Sequence, residues 1–296
     1  MRKPEIREFI EEMGLPNGDT YDLPSSEKRF VDGSHYKLEL LPYTVEEYQE
    51  AFSVADDVDL TINRITDCTG SMYDSDEEIK KKVQICHERD AELLMIPGPG
   101  GSPSQQKALG ALPDPRLRGI DNLVDVTREL IRTVDLGCRG FLILDEGLLN
   151  VALELREDGV IPADTIFKMS ASFGISNPAS VSLWTERVGL TEQDSINPVR
   201  DLTYPMLGAF RQASDISLDV HAFWHGDVNR TLETPEIARI AAPVYFKNSG
   251  EGSIAEKVRQ SKRIVDQIQA EEPDLVQSDG GHEGIPEPSQ DVLTQV

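Results

Sequence analysis

Apolar positions in this chain alternate between two rhythms. Short runs that alternate or are wholly apolar read as strands, and each is followed by a longer stretch with apolar residues at helical spacing. The strand-like runs fall at 35–41, 59–66, 92–96, 140–145, within 164–177, and at 194–199, 217–223 and 243–247. The helical stretches between and after them fall at 44–55, 74–89, 121–136, 147–158, 178–188, 204–213, 235–241 and 253–270. Cap chemistry supports several of these starts. Asp74 or Ser75 precedes a run opening with Glu77 and Glu78, and Asn177 precedes Pro178 at a first helical position. A further helix over 3–14 has Ile6, Phe9, Ile10 and Met13 on one face and stops at Gly14.

Strands alternating with helices imply parallel βαβ units. Eight such units over this length predict a (β/α)8 TIM barrel. The competing arrangement, a doubly wound open sheet, would carry a phosphate-binding glycine fingerprint after its first strand, and HYKLELLPYTVEE has none. The predicted organisation is a lead-in with its helix (1–32), one barrel domain (33–270) and a disordered acidic tail (271–296).

Composition adjusts this picture in three ways. A hydrophobic content of 39% in 296 residues supports a sizeable core. The net charge of −24 argues against nucleic acid and anionic membranes as partners. It suits a salt-accumulating cytoplasm, where screening removes most of the self-repulsion. Three scattered cysteines, Cys68, Cys86 and Cys138, form neither a disulfide framework nor a zinc pattern. The charged start MRKPEIREFIEEMG reads as no signal peptide, and no run reaches the ~20 apolar residues of a membrane span. The expected location is cytoplasmic. A homo-oligomer stays open.

Barrel chemistry sits at the carboxyl ends of the strands. Those ends present His35, Lys37 and Glu39, then Asn63 and Arg64, then the 98–101 glycine loop. Asp145 and Glu146 follow, then Lys168 and Ser170, Asn197, Asp219 and His221, and finally Lys247 and Asn248. Strand parity groups the charges on one face, and the inward face is expected, since charges against the helix layer would be costlier. The result is a mouth with Arg64, Lys168 and Lys247 as cations. With Ser170, Asn63, Asn197, His35 and Glu39, these are expected to bind a small anionic molecule. Asp219, His221 and Asp145 are expected to move protons. Other readings stay open: a salt-bridge network that only braces the barrel, Lys168 as an imine-forming nucleophile, or a divalent metal on Asp219, His221 and Glu39. The 97–119 connection, His225 and Asp227 are expected around the mouth, and His282 in solvent.

INRIT, FLILDEGLLNVALELREDGVIPADTIFKMSASFGISNPASV, ISLDVHAFW and EIARIAAPVYFK together resemble the collagenase-like peptidase superfamily, whose catalytic type is classed as unknown. The resemblance is to its single-barrel members and spans roughly 33–250. It rests on Asn63 and Arg64 in the second strand, Lys168 and Ser170 in the fifth, Asn177–Pro178, Asp219 and Lys247. It implies a barrel and an enzyme, hydrolase or lyase, or a true peptidase. The alternative is a non-catalytic ligand-binding or scaffold subunit. Some relatives hold an iron–sulfur cluster on cysteines after the seventh strand. No cysteine follows Asp219 here, so no cluster is expected, and the cofactor is unknown.

Overall fold

A computed structural model describes residues 2–98, 116–223 and 231–281. Eight parallel strands close into a barrel in sequence order. They are β1 (Tyr36–Leu40), β2 (Arg64–Asp67), β3 (Glu92–Met95), β4 (Gly140–Ile143), β5 (Ile166–Met169), β6 (Ser195–Ile196), β7 (Ser217–Phe223) and β8 (Val244–Asn248). Ahead of the barrel lies α1 (Lys3–Glu12). The strands are followed in turn by α2 (Val45–Asp57), α3 (Asp76–Glu88), α4 (Gly119–Asp135), α5 (Glu146–Glu157), α6 (Pro178–Ser182, continued as a π-turn to Val188), α7 (Tyr204–Ala213), α8 (Thr234–Ala241) and α9 (Ile254–Glu271). The expected TIM barrel is the fold observed.

Local chemistry sets the helix starts. Thr44, Ser75, Asp145, Asn177 and Ser253 each accept a backbone N–H of the first turn, and Ser75 and Ser253 pair with Glu78 and Glu256 in capping boxes. Leu38, Leu40, Ile65, Met95, Phe141, Phe167, Met169, Val220 and Phe246 face outward and form the main core with the helices. The opposite parity lines the interior. Near the carboxyl end, the part of that interior contributed by the first four strands holds an apolar cluster of Leu41, Cys68, Ile96 and Leu142.

Two expectations change. The second strand begins at Arg64, not at position 59. Asp59 takes a left-handed turn at φ 53°, and Leu60 and Ile62 lead into the strand. Asn63 and Arg64 therefore stand at its amino end. The expected tail, 271–296, is in part structured: Gln277 bridges to Tyr36, and the Ser278 N–H donates to the Tyr36 carbonyl. Asn63 Nδ2 donates to the carbonyls of Ser278 and Gly280, and Lys37 Nζ donates to that of Gly281. This strap covers the amino end of the barrel. Residues 282–296, with His282, lie outside the described residues.

Candidate active site

The interior charges stack in layers contributed by alternate strands, as in other closed eight-stranded barrels. Lys37 and Glu92 lie lowest, 3.5 Å apart. Above them come Arg64 (β2), Ser195 (β6) and Tyr245 (β8). The Arg64 guanidinium lies 3.4 Å from the Tyr245 ring centre and donates to Ser195 Oγ at 3.2 Å and to Glu92 at 2.5 Å. Tyr245 also donates to Glu92, at 2.8 Å. The next layer holds Glu39 (β1), Lys168 (β5) and Asp219 (β7). Lys168 Nζ donates to Glu39 Oε2 and, at 2.7 Å, to Asp219 Oδ1. Arg64 reaches Asp219 Oδ1 from below, at 3.2 Å. The layer above it takes Thr66 (β2), Leu142 (β4), Asn197 after β6, and Lys247 (β8). Lys247 Nζ lies 3.6 Å from Glu39 Oε1. All of these side chains are buried.

Burial raises the carboxyl pKa of both Glu39 and Asp219, and the two separate because their neighbours differ. At Glu39, Lys168, Lys247 and Arg64 outweigh burial and hold the carboxyl well below the usual range. At Asp219, burial and the nearby Glu39 charge outweigh Lys168 and Arg64 and raise it to about 6. Burial lowers Lys168, although Asp219 and Glu39 oppose the shift. The two carboxylates that hold it favour the ammonium, and burial favours the neutral amine.

His221, two residues beyond Asp219 on β7, reaches the mouth. Its Nε2 faces Arg200 Nε at 3.5 Å and Asn197 Nδ2 at 3.3 Å. A guanidinium only donates, so Nε2 accepts, and the proton sits on Nδ1, which donates to Ser249 Oγ at 2.6 Å. Ser249 donates in turn to the Phe223 carbonyl at 3.1 Å. Burial, helped by Lys247, Arg200 and Lys168, pushes the imidazole pKa well below its ordinary value. A depressed histidine stabilises the fold above its unfolded pKa, and that contribution is lost as pH falls. The stability advantage of the native chain over a His221→Gln variant should therefore shrink from pH 7.5 to pH 5, by up to about 1.4 kcal/mol per pH unit. Parallel denaturation curves at both pH values test this, and an advantage that grows on acidification overturns it.

Arg64, Lys168, Lys247, Glu39, Asp219, Asn197 and His221 are thus brought together. Of the other expected site residues, His35 and Asn63 lie at the amino end, and Asp145 and Ser170, at the carboxyl end, serve as caps. His35 precedes β1 and accepts the Val276 N–H at the amino end, and Asn63 also binds the strap there. Asp145 is a helix cap whose two oxygens take the N–H groups of Leu148 and Leu117 at 2.9 and 3.0 Å. Ser170 caps the turn after β5 by accepting the Ser172 N–H. Among the described residues no three His, Cys, Asp or Glu side chains group as a metal site, and Asp219, His221 and Glu39 face other partners. Residues 99–101 of the glycine loop, most of the 97–119 connection, His225 and Asp227 lie outside the described residues.

Sequence reasoning missed Glu92, Tyr245, Ser195, Arg200 and Ser249. Glu92 was detectable, because it shares parity with Leu94 in an otherwise apolar strand. Arg200 and Ser249 lie in loops, where parity gives no signal. Parity also fails at Asp67, which faces the helices beside Ile65. There it accepts from Lys82 Nζ at 2.6 Å, Tyr48 Oη at 3.0 Å and the Thr69 N–H at 2.8 Å.

No family model and no curated protein matches the chain. Solved structures do resemble it. What they share with the chain is the TIM-barrel fold. A candidate fructose-1,6-biphosphate aldolase from Coccidioides immitis aligns at 11% identity and TM-score 0.50, over 91% of this chain and 95% of that one. The YdjI aldolase from Escherichia coli K12 aligns at 13% and 0.42, over 79% and 91%. Thiamine phosphate pyrophosphorylase from Pyrococcus furiosus aligns at 14% and 0.46, over 79% and 98%. At these identities the likeness is one of fold alone. No helix among the described residues is long and apolar enough to cross a membrane.

Proposed function

We propose that the chain is an enzyme that binds a small anionic substrate at the carboxyl end of the barrel, with hydrolase or lyase chemistry. The observation that carries this reading is the way the charge ladder ends. Among the described residues, four interior cations, Lys37, Arg64, Lys168 and Lys247, face three carboxylates, Glu39, Glu92 and Asp219. Arg64 and Lys168 are each held by hydrogen-bonded carboxylates. The ladder finishes at Lys247, whose carboxylate contact among the described residues is the 3.6 Å one to Glu39. Excess positive charge thus collects beside His221, in a site of low dielectric where an anion is strongly favoured.

In this reading Lys247 holds the anion and His221 Nε2 exchanges a proton with the substrate. Asp219, and Glu39 through its Oε2, fix Lys168 beneath the site. An anion on Lys247 would cancel part of the repulsion that depresses His221, so substrate binding itself makes the imidazole a better base. The resemblance to the collagenase-like peptidase superfamily supports an enzyme and keeps peptide cleavage as an alternative. A non-catalytic ligand-binding or scaffold role is favoured by one observation, the pairing of Arg64 and Lys168 inside the barrel.

Thermal unfolding in concentrated KCl, which screens the −24 charge, tests the reading against small carboxylates, phosphate esters and short peptides. A ligand at 100 times its Kd adds about 2.7 kcal/mol. At least one anion should raise the midpoint of the native chain and leave that of Lys247→Met unmoved. No response to any anion, or the same response in both proteins, overturns the anion site. Binding without turnover of any ligand found supports the scaffold role.

A further inference from the structure

The donors and acceptors around Lys247 define the ligand more closely; this inference rests on the anion site proposed above. Three buried inward-facing oxygens have no hydrogen-bond partner among the described residues: Glu39 Oε1, Thr66 Oγ1 and Asn197 Oδ1. Their side chains are all but inaccessible, at 0%, 0% and 2% exposure. Thr66 and Asn197 share a layer with Lys247, and Glu39 Oε1 lies just beneath it. Buried polar atoms in native proteins are nearly always paired. Three unpaired ones in two adjacent layers, beside a buried ammonium, mark a polar site.

The chemistry of these atoms is selective. The carboxylate and amide oxygens only accept, so the ligand has to bring hydrogens as well as negative charge. A bare carboxylate would meet Lys247 and leave both acceptors unpaired. A zwitterion would bring hydrogens on an ammonium, but its net charge of zero leaves the surplus cation uncompensated, and the ammonium would sit among Lys168 and Lys247. A monoanion with neutral donors meets both demands. We infer that the ligand is a small hydroxycarboxylate, with its carboxylate on Lys247 and its hydroxyl hydrogens donated to the unpaired acceptors, a single hydroxyl to Asn197 Oδ1 and a second, where present, to Glu39 Oε1.

Calorimetric titration of the full chain in concentrated KCl tests this with glycolate and glycerate, their deoxy counterparts acetate and propionate, glycine and serine, glycerol, and inorganic phosphate. The hydroxycarboxylates should bind at least about tenfold more tightly than the deoxy acids, and glycerol should not bind. Lys247→Met should abolish binding. Asn197→Leu should keep acetate affinity and erase most of the hydroxyl preference. Asn197→Asp, which keeps the side-chain volume, should weaken every anion and serves if the leucine variant does not fold. Equal affinity for glycolate and acetate overturns the hydroxycarboxylate and leaves the anion site standing. Preference for serine or phosphate also overturns it, in favour of a zwitterion or a phosphate group. Binding of no anion, or binding untouched by Lys247→Met, overturns both readings.

Discussion

Asp219→Ala should lower the unfolding free energy by about 3–5 kcal/mol, the range for removing one partner of a buried ion pair. Asp219 is fully buried and receives Lys168 at 2.7 Å and Arg64 at 3.2 Å. Alanine removes both contacts and opens a small void. Lys168 would then depend on Glu39, and Arg64 on Glu92 and a 3.9 Å contact to Glu39. Both cations are too deep for water to replace the lost carboxylate. Among the described residues, the interior surplus of positive charge also rises from one to two. Asp219→Asn keeps the volume and one acceptor, so it should lose less. Denaturant unfolding at fixed KCl concentration and pH 7.5 measures both. A loss under about 1 kcal/mol for alanine, the scale of an exposed pair, would show that Asp219 does not brace the barrel. The size of the effect comes from the orphaned charges and not from the favourable energy of the pair, since apolar replacement of a whole buried network is often tolerated.

The barrel was legible because burial leaves a periodic trace. Parallel strands covered by helices need apolar outer positions, and Phe167 and Met169 around Lys168 meet that need while placing the lysine inside. The ends of strands were less legible, because alternation reports burial and not hydrogen bonding. Leu60 and Ile62 continue the alternation of β2, yet they precede it and pack against the same core. The misplacement moved Asn63 and Arg64 to the wrong end of the strand. Arg64 is consequently a brace inside the barrel, and Asn63 a tie to the strap. His35 and Asp145 were misread for a related reason. A polar residue beside a strand is as readily a tie or a cap as a ligand contact, and the difference lies in backbone N–H groups that sequence does not display. Lys247 and His221 face the interior as expected because both lie within strands, before the irregularity that follows His221, where parity follows from counting. Arg200 and Ser249, which set the His221 tautomer, come from loops that have no such rule.

The rule that strand charges face inward has one informative exception, and it leads to the second large effect. Lys82→Met should also destabilise the fold by about 3–5 kcal/mol, with no change in ligand binding at the mouth. Asp67 is fully buried between β2 and the helices α2 and α3, and Lys82, itself buried, joins it to Asp74 at 2.6 and 2.7 Å. Methionine keeps most of the side-chain volume, so packing changes little, but the Asp67 charge loses its cation. The hydrogen bonds from Tyr48 and Thr69 persist and do not replace that charge. If the loss comes from an uncompensated charge, Lys82→Met with Asp67→Asn should recover more than half of it, because the double variant buries neutral groups only. If the two substitutions simply add, packing and not charge is responsible. The contrast with the barrel interior is then decisive for function. Lys82 and Lys247 are both buried lysines on charged partners, but Lys82 has two close carboxylates and Lys247 has one distant carboxylate oxygen. A fully satisfied lysine should matter to stability alone, and an incompletely satisfied one to ligand binding. Anion titration of Lys82→Met beside Lys247→Met separates the two, and equal loss of affinity in both would show that ligand response tracks global stability and not the site.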